Sequence, residues 1–288
     1  MSDTTTTPTP TDTIEPQVHG GRAPREYSVR RLPGFGVIAI FTFVALYAPI
    51  LILVAYSFNA GQSLATWEGW SLRWYERAIN NDAVIDAAIR SVILAGSAAV
   101  IATIAATMAA LATTRTRRFK GKTMIYALIN QPLMVPEIVT AVALLIVFAW
   151  LKVATGYTGM AYLIAAHTAF CVPFAYLPIR ARLETMDDSL EIAARDLYAG
   201  PMQVFRRVTL PMMWPGIIAG FMLAFVISMD DVVITEFVKS AGQETIPTYM
   251  LGQLRRTVTP EVNAISTMIL VAGATLVSLF FWVSRERR

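Results

Sequence analysis

The chain has 288 residues, of which 55% are hydrophobic and only 15% charged, with a mean hydropathy of +0.53; an ordinary soluble domain carries about 25% charged residues. The charges are clustered and leave long apolar runs, which excludes a soluble globular protein and points to an all-α, polytopic membrane protein. The net charge of +4 does not argue for nucleic acid, because the basic residues sit at the ends of apolar runs, where membrane topology accounts for them.

Residues 1–30, beginning with a Thr/Pro/Asp-rich stretch, contain too little apolar surface to fold and are predicted to be a disordered tail, with residues 31–288 forming the membrane domain. The first 30 residues contain no apolar segment of signal-peptide type. Apolar runs follow at about 35–57, 91–113, 124–151, 158–179, 212–235 and 263–284. Each is near or above the ~20 residues that a helix needs to cross a hydrocarbon core of ~30 Å, so six transmembrane helices are expected. Pro132 and Pro136 predict a kink or a broken first turn in the third.

Six spans place both termini on one side. The segments on that side hold Arg22, Arg25, Arg30 and Arg31; Arg115, Arg117, Arg118, Lys120 and Lys122; Arg180, Arg182, Arg195, Arg206 and Arg207; and Arg285, Arg287 and Arg288. These are 17 of the 24 basic residues, and the excess assigns that side to the cytoplasm.

Small residues recur every four positions at Ala98, Ala102, Ala106 and Ala110, and again at Gly216 and Gly220. Such stripes let helix backbones approach closely; packing within the bundle is the favoured reading, ahead of a subunit interface. The loop 58–90 carries Trp67, Trp70, Trp74 and Tyr75, as an interfacial aromatic belt or a short surface helix would.

Several chemistries are excluded by context. Gly34-Phe-Gly36-Val-Ile-Ala39 resembles a dinucleotide fingerprint but opens a membrane span with no strand before it. Gly121-Lys122-Thr123 resembles the end of a phosphate-binding loop, but Thr116 stands where its first glycine is needed. ATP must then be handled by another chain. Neither HExxH nor GxSxG occurs, so a membrane hydrolase lacks its nucleophile or metal ligands. His167, the one histidine within an apolar run, is expected to pack in the bundle with a single hydrogen bond. The lone cysteine, Cys171, allows no internal disulfide and no cysteine metal cage. No cofactor is implied.

The acids within the apolar runs carry more information. Glu137 follows Pro136, and Asp230-Asp231 lie late in the fifth run. A charge at a helix centre costs about 2.5–3.5 kcal/mol on insertion scales, so such acids face a pathway or a partner. Three acids with no base inside the same runs suggest a route for a cation; an ion pair with a partner chain, or a shallow, wetted position, is the plainer alternative.

Asp188 to Ile217 is the longest polar-containing segment between two apolar runs. It is predicted to form an amphipathic helix outside the bilayer, with Glu191, Arg195 and Asp196 beside Ala193-Ala194. Helices lying on lipid favour Lys/Arg opposite bulky apolar residues. A small-residue patch suits insertion into a protein groove.

Ile192-Ala193-Ala194-Arg195-Asp196-Leu197-Tyr198-Ala199, with the later Thr209-Leu210-Pro211 and Pro215-Gly216, resembles the EAA loop of bacterial binding-protein-dependent ABC transporter permeases. Ile192 stands where that pattern has Glu, with Glu191 adjacent; Tyr198 stands where it has Gly, with Gly200 close behind. SMDDVVITEFV (228–238), Ile246-Pro247, TPEVNAISTMIL (259–270) and Pro136-Glu137-Ile138-Val139 are similar to the second permease subunit of spermidine/putrescine importers. The resemblance implies a type I ABC importer permease with a cytoplasmic coupling helix in a loop at about 186–211. It implies as partners a homologous permease subunit, two ATPase subunits and a periplasmic binding protein. Glu191, Ala193, Ala194, Asp196 and Gly200 would couple to the ATPase, and Asp230, Asp231 and Glu137 would line the substrate pathway in the bacterial inner membrane. The other expectations kept open are a permease for another delivered solute (an iron complex or an opine), a passive cation channel and a membrane enzyme.

Overall fold

A computed structural model describes residues 35–63, 66–115, 121–256 and 259–285, with the side chains of 35, 276 and 279–285 left aside. The predicted tail at 1–30 lies outside these residues. So does Gly34 of the first fingerprint, and so do Arg117, Arg118 and Lys120 of the basic cluster. The regular structure of the described residues is helical, apart from a single isolated bridge between Asn59 and Trp70.

Two compact units divide at Leu51/Ile52. The first contains most of helix α1 (Phe35–Tyr56), whose side chains from Gly36 onward are half-buried or exposed throughout. Phe43 and Tyr47 stack along it with ring centroids 6.1 Å apart.

The second unit is built on α3 (Asp82–Arg115), α6 (Ala161–Glu184) and α9 (Leu210–Asp230), which pack on one another. Helix α3 has 34 residues and is about 51 Å long at 1.5 Å per residue; it begins well before the apolar run that predicts it. Ala98, Ala102, Ala106 and Ala110 are fully buried in this core. A Cβ added to Gly216 would lie 2.6 Å from Cβ of Arg182, and one added to Gly220 would lie 2.7 Å from the carbonyl oxygen of Ala175. The small-residue stripes are thus the crossing points of α3, α6 and α9, where dispersion contacts between close backbones hold membrane helices together.

The third apolar run is two helices, α4 (Lys122–Met134) and α5 (Glu137–Thr155). Val135 is extended and Pro136 caps α5, as a proline's effect on the residue before it requires. Helix α12 (Pro260–Arg285) covers the sixth run with 26 residues. By length and composition, five helical segments among the described residues can cross a membrane: Gly36–Tyr56, Asp82–Arg115, Glu137–Thr155, Ala161–Glu184 and Pro201–Asp230.

The aromatic loop contains the short helix α2 (Arg73–Ile79). Its tryptophans divide. Trp74 is buried and donates Nε1–H to the carbonyl of Asn59 at 2.9 Å. Trp67 and Trp70 stay exposed, edge to face at 5.0 Å. Beyond α9 lie α10 (Val233–Val238), against α5 and α6, and α11 (Ile246–Arg256), against α3 and α12.

The segment from Asp188 onward departs from the single long helix expected of it. It forms α7 (Ser189–Asp196), a turn at Leu197–Gly200, α8 (Pro201–Val204) and a wide π turn at Phe205–Thr209 that runs into α9. Tyr198 breaks the helix with φ +59°. Pro201 follows at a first helical position, where its missing N–H is not needed.

Candidate functional site: an acid pair and a loop

Helix α9 ends where the two adjacent acids stand. Asp231 is extended (φ −66°, ψ 129°), and helical geometry resumes in α10. Its Oδ1 accepts the N–H of Ile234 at 3.2 Å. Its Oδ2 accepts the N–H and the hydroxyl of Thr235, each at 2.9 Å. The carboxylate therefore satisfies the first free amides of α10, as capping side chains do.

His167 completes this arrangement. The ring is buried on α6; Nδ1 bonds the hydroxyl of Ser228 at 2.8 Å and Nε2 that of Thr235 at 2.9 Å. Nε2 also lies 3.4 Å from Oδ2 of Asp231. The single hydrogen bond expected of His167 is corrected to two, because helices α6, α9 and α10 meet around both ring nitrogens. Glu137, the first residue of α5, lies close enough to Asp231 for the two carboxyls to interact. At the far end of α10, Lys152 donates to the carbonyl of Val238 at 2.7 Å. Both ends of α10 are thus held by charged side chains.

Asp230 faces elsewhere. It is exposed and lines a cavity of about 630 Å³ formed by α9, α11 and α12. Met229, Met250, Leu254 and Leu270 lie on the same walls, which are mostly apolar. One residue of sequence separates a saturated, buried carboxylate from one free to meet a cation.

At the opposite end of α3, the loop also divides inward from outward. Leu190, Ile192, Leu197, Tyr198 and Met202 are exposed, Tyr198 almost completely at 98%. Ala193, Asp196 and Gly200 are exposed with them, and Ala194 is half-buried. Glu191 turns inward and is 7% exposed. Its Oε1 accepts the Thr209 hydroxyl at 3.0 Å and lies 3.4 Å from Nε of Arg115. Arg115 also reaches Asp188 through Nη1. Asp187 accepts the Ser189 N–H at 2.9 Å, which holds its carboxyl below the usual range.

A family model for the inner membrane component of binding-protein-dependent transport systems matches residues 102–285, from the middle of α3 to the end of α12. The chain belongs to this family. Over 262 residues it is 40% identical to the putrescine transport system permease protein PotI of Escherichia coli strain K12, covering 90% of this chain and 93% of that protein. It is 39% identical over 249 residues to the spermidine/putrescine transport system permease protein PotC of Haemophilus influenzae, covering 85% and 95%. In fold it is similar to a bacterial ABC transporter involved in the import of alginate, with a TM-score of 0.62, 15% identity and coverage of 87% and 94%. The inward-facing MetNI methionine ABC transporter aligns with a TM-score of 0.58 at 16% identity, covering 70% and 94%. The chain is thus a membrane permease of the ABC importer type, and the all-α architecture is that of its structural neighbours.

Of the residues singled out in the sequence, the structure brings Asp231 and Glu137 together and sends Asp230 to a separate cavity. Ala193, Asp196 and Gly200 share the outward side of the loop, and Glu191 leaves it. Lys152 carries geometry without having been singled out, and Arg115, Thr209, Ser228 and Thr235, named only within the basic cluster or the quoted motifs, take structural roles those patterns do not reveal. Their partners lie 61 to 86 positions away for Ser228, Thr235, Lys152 and the Arg115–Asp188 pair, and no local pattern marks them.

Proposed function

We propose that the chain is the permease subunit of an ATP-driven importer that moves polyamines, putrescine or spermidine, across the bacterial inner membrane. The observation that carries this reading is Asp230, a free carboxylate on a mostly apolar cavity wall. Polyamines join ammonium groups by methylene chains, so a carboxylate between apolar surfaces meets both parts of the molecule. The similarity to PotI and PotC supports that class of cargo.

In this reading the pathway acids act differently. Asp230 receives the ammonium group, while Asp231, with Glu137 beside it, shapes the α9–α10 break that aims Asp230. The membrane domain in this reading is 31–288. The loop at about 186–211 lies in the cytoplasm together with both termini, which the distribution of basic residues supports. A separate ATPase hydrolyses ATP and docks on Ala193, Ala194, Asp196 and Gly200, with Glu191 behind them. The exposed Ile192, Leu197, Tyr198 and Met202 support docking, since an apolar patch on a loop needs a cover. A homologous permease, two ATPase subunits and a periplasmic binding protein complete the transporter.

The test is uptake of radiolabelled putrescine and spermidine in vesicles holding the full transporter, with and without ATP. ATP-dependent uptake that competes with unlabelled polyamine is expected. Uptake without the ATPase subunits would instead identify a passive channel, and ATP-dependent uptake of an iron complex or an opine in place of polyamine would refute the cargo.

A further inference from the structure

Glu191 is the one inward-turned acid of the loop, and its carboxylate gathers three elements. It sits on α7, it accepts from Thr209 at the end of the π turn, and it faces Arg115, the last residue of α3. We infer that Glu191, Thr209 and Arg115 form a latch that transmits displacement of the loop to α3 and α9 together. This inference rests on the reading of the loop as the docking segment of an ATPase.

The geometry supports it in three ways. First, α7 packs on α8 and the π turn, so the carboxylate adds a link from α7 to α3. A buried carboxylate stripped of its partners is costly, which makes the link resist separation. Second, the latch joins α7 to α9 across the turn at Leu197–Gly200. Without it, movement of α7 can be absorbed by bending that turn; with it, α7 and the start of α9 move as one body. Third, the π turn at Phe205–Thr209 is the irregular stretch of an otherwise continuous helical run from Pro201 to Asp230. Such wide turns occur at functional positions because the inserted residue can shift register. Thr209 closes this turn, and its hydroxyl is the atom held by Glu191.

The Arg115 side of the latch is slack. Its Nη1 is committed to Asp188, whereas Nε stands 3.4 Å from Glu191 and makes no full hydrogen bond there. Nη2 has no hydrogen-bond partner. The guanidinium therefore has donors in reserve with which to follow Glu191 when α7 shifts, as a two-state joint requires.

The experiment uses the complete transporter in proteoliposomes and measures ATP hydrolysis and polyamine uptake in parallel. Glu191→Ala and Thr209→Val are expected to keep the ATPase bound and hydrolysing while uptake per ATP falls about tenfold, as expected for loss of one hydrogen bond to a charged group. Thr209→Ser, which keeps the hydroxyl, is expected to restore uptake per ATP to near the unmodified level. Arg115→Lys should give an intermediate value. If Glu191→Ala does not assemble, the Thr209→Val and Thr209→Ser pair decides. Equal coupling in these two variants would overturn the latch. Loss of the ATPase from purified Glu191→Ala or Thr209→Val complexes would also overturn it and would assign these residues to docking. Failure of the docking reading has a different signature: Asp196→Arg would leave ATPase binding and coupling intact.

Discussion

Replacing Asp231 by Ala tests whether neighbouring acids divide their roles. The native carboxylate accepts from two backbone amides of α10 and from the Thr235 hydroxyl. Alanine leaves the amides of Ile234 and Thr235 without their acceptor oxygens and leaves the Thr235 hydroxyl only its longer contact to the Asp231 carbonyl at 3.3 Å, in a site where Thr235 is fully buried. Loss of a cap costs about 0.5–2 kcal/mol, and a buried donor left unmatched costs about 1–3 kcal/mol. Because the His167 ring can relax toward the vacated space, the net effect is placed at about 3 kcal/mol. Asp231→Asn keeps an acceptor oxygen and a good capping residue, so its loss is about 1 kcal/mol. Asp230→Asn changes an exposed group and should stay within about 0.5 kcal/mol of the native stability. The assay is thermal unfolding in detergent, followed by uptake kinetics on the variants that fold. At roughly 2–4 °C per kcal/mol for a protein of this size, Asp231→Ala should melt roughly 6–12 °C lower. Asp230→Asn should melt normally and raise KM for polyamine. An Asp231→Ala protein as stable as the native one, or an Asp230→Asn protein with unchanged KM, would refute this division.

Three further outcomes follow from particular contacts. Tyr198 holds φ +59° and is almost wholly exposed, so Tyr198→Gly removes backbone strain of about 1 kcal/mol. It should raise the melting temperature of the isolated subunit by a few degrees while weakening ATPase co-purification. Gly220→Ala forces a Cβ against the Ala175 carbonyl at 2.7 Å, whereas nothing lies within 4 Å of a Cβ at Gly252 in α11. The first should destabilise by about 1–3 kcal/mol and the second should stabilise by up to about 1 kcal/mol, read by thermal unfolding. Lys152→Met frees the Val238 carbonyl and should speed amide exchange in α10 about fivefold to tenfold, as loss of one net hydrogen bond predicts, with α3 and α6 unaffected.

Much of this protein is legible in one dimension. Apolar length marks the membrane-crossing helices because hydrocarbon forces each backbone to satisfy its own hydrogen bonds. The Pro132/Pro136 pair predicts the interruption between α4 and α5, since proline acts on its immediate neighbours. The Ala98–Ala110 stripe predicts close helix crossing by a rule of local spacing. The loop from Asp188 stands out by its polarity, but not its shape. The break at Tyr198 uses a left-handed conformation at a residue that does not favour it, so tertiary context overrides propensity there.

The sequence alone determined that this is a helical membrane protein with acids inside its apolar runs and a polar loop between two of them. Both are properties of composition along the chain. Only the tertiary structure decided which acid is free. Asp230 and Asp231 are chemically identical neighbours, and they part because α9 ends between them. Ile234, Thr235 and His167 then enclose one carboxylate, while α11 and α12 leave a cavity before the other. The same holds for Glu191, which faces inward because Arg115 and Thr209 meet it there from α3 and the π turn.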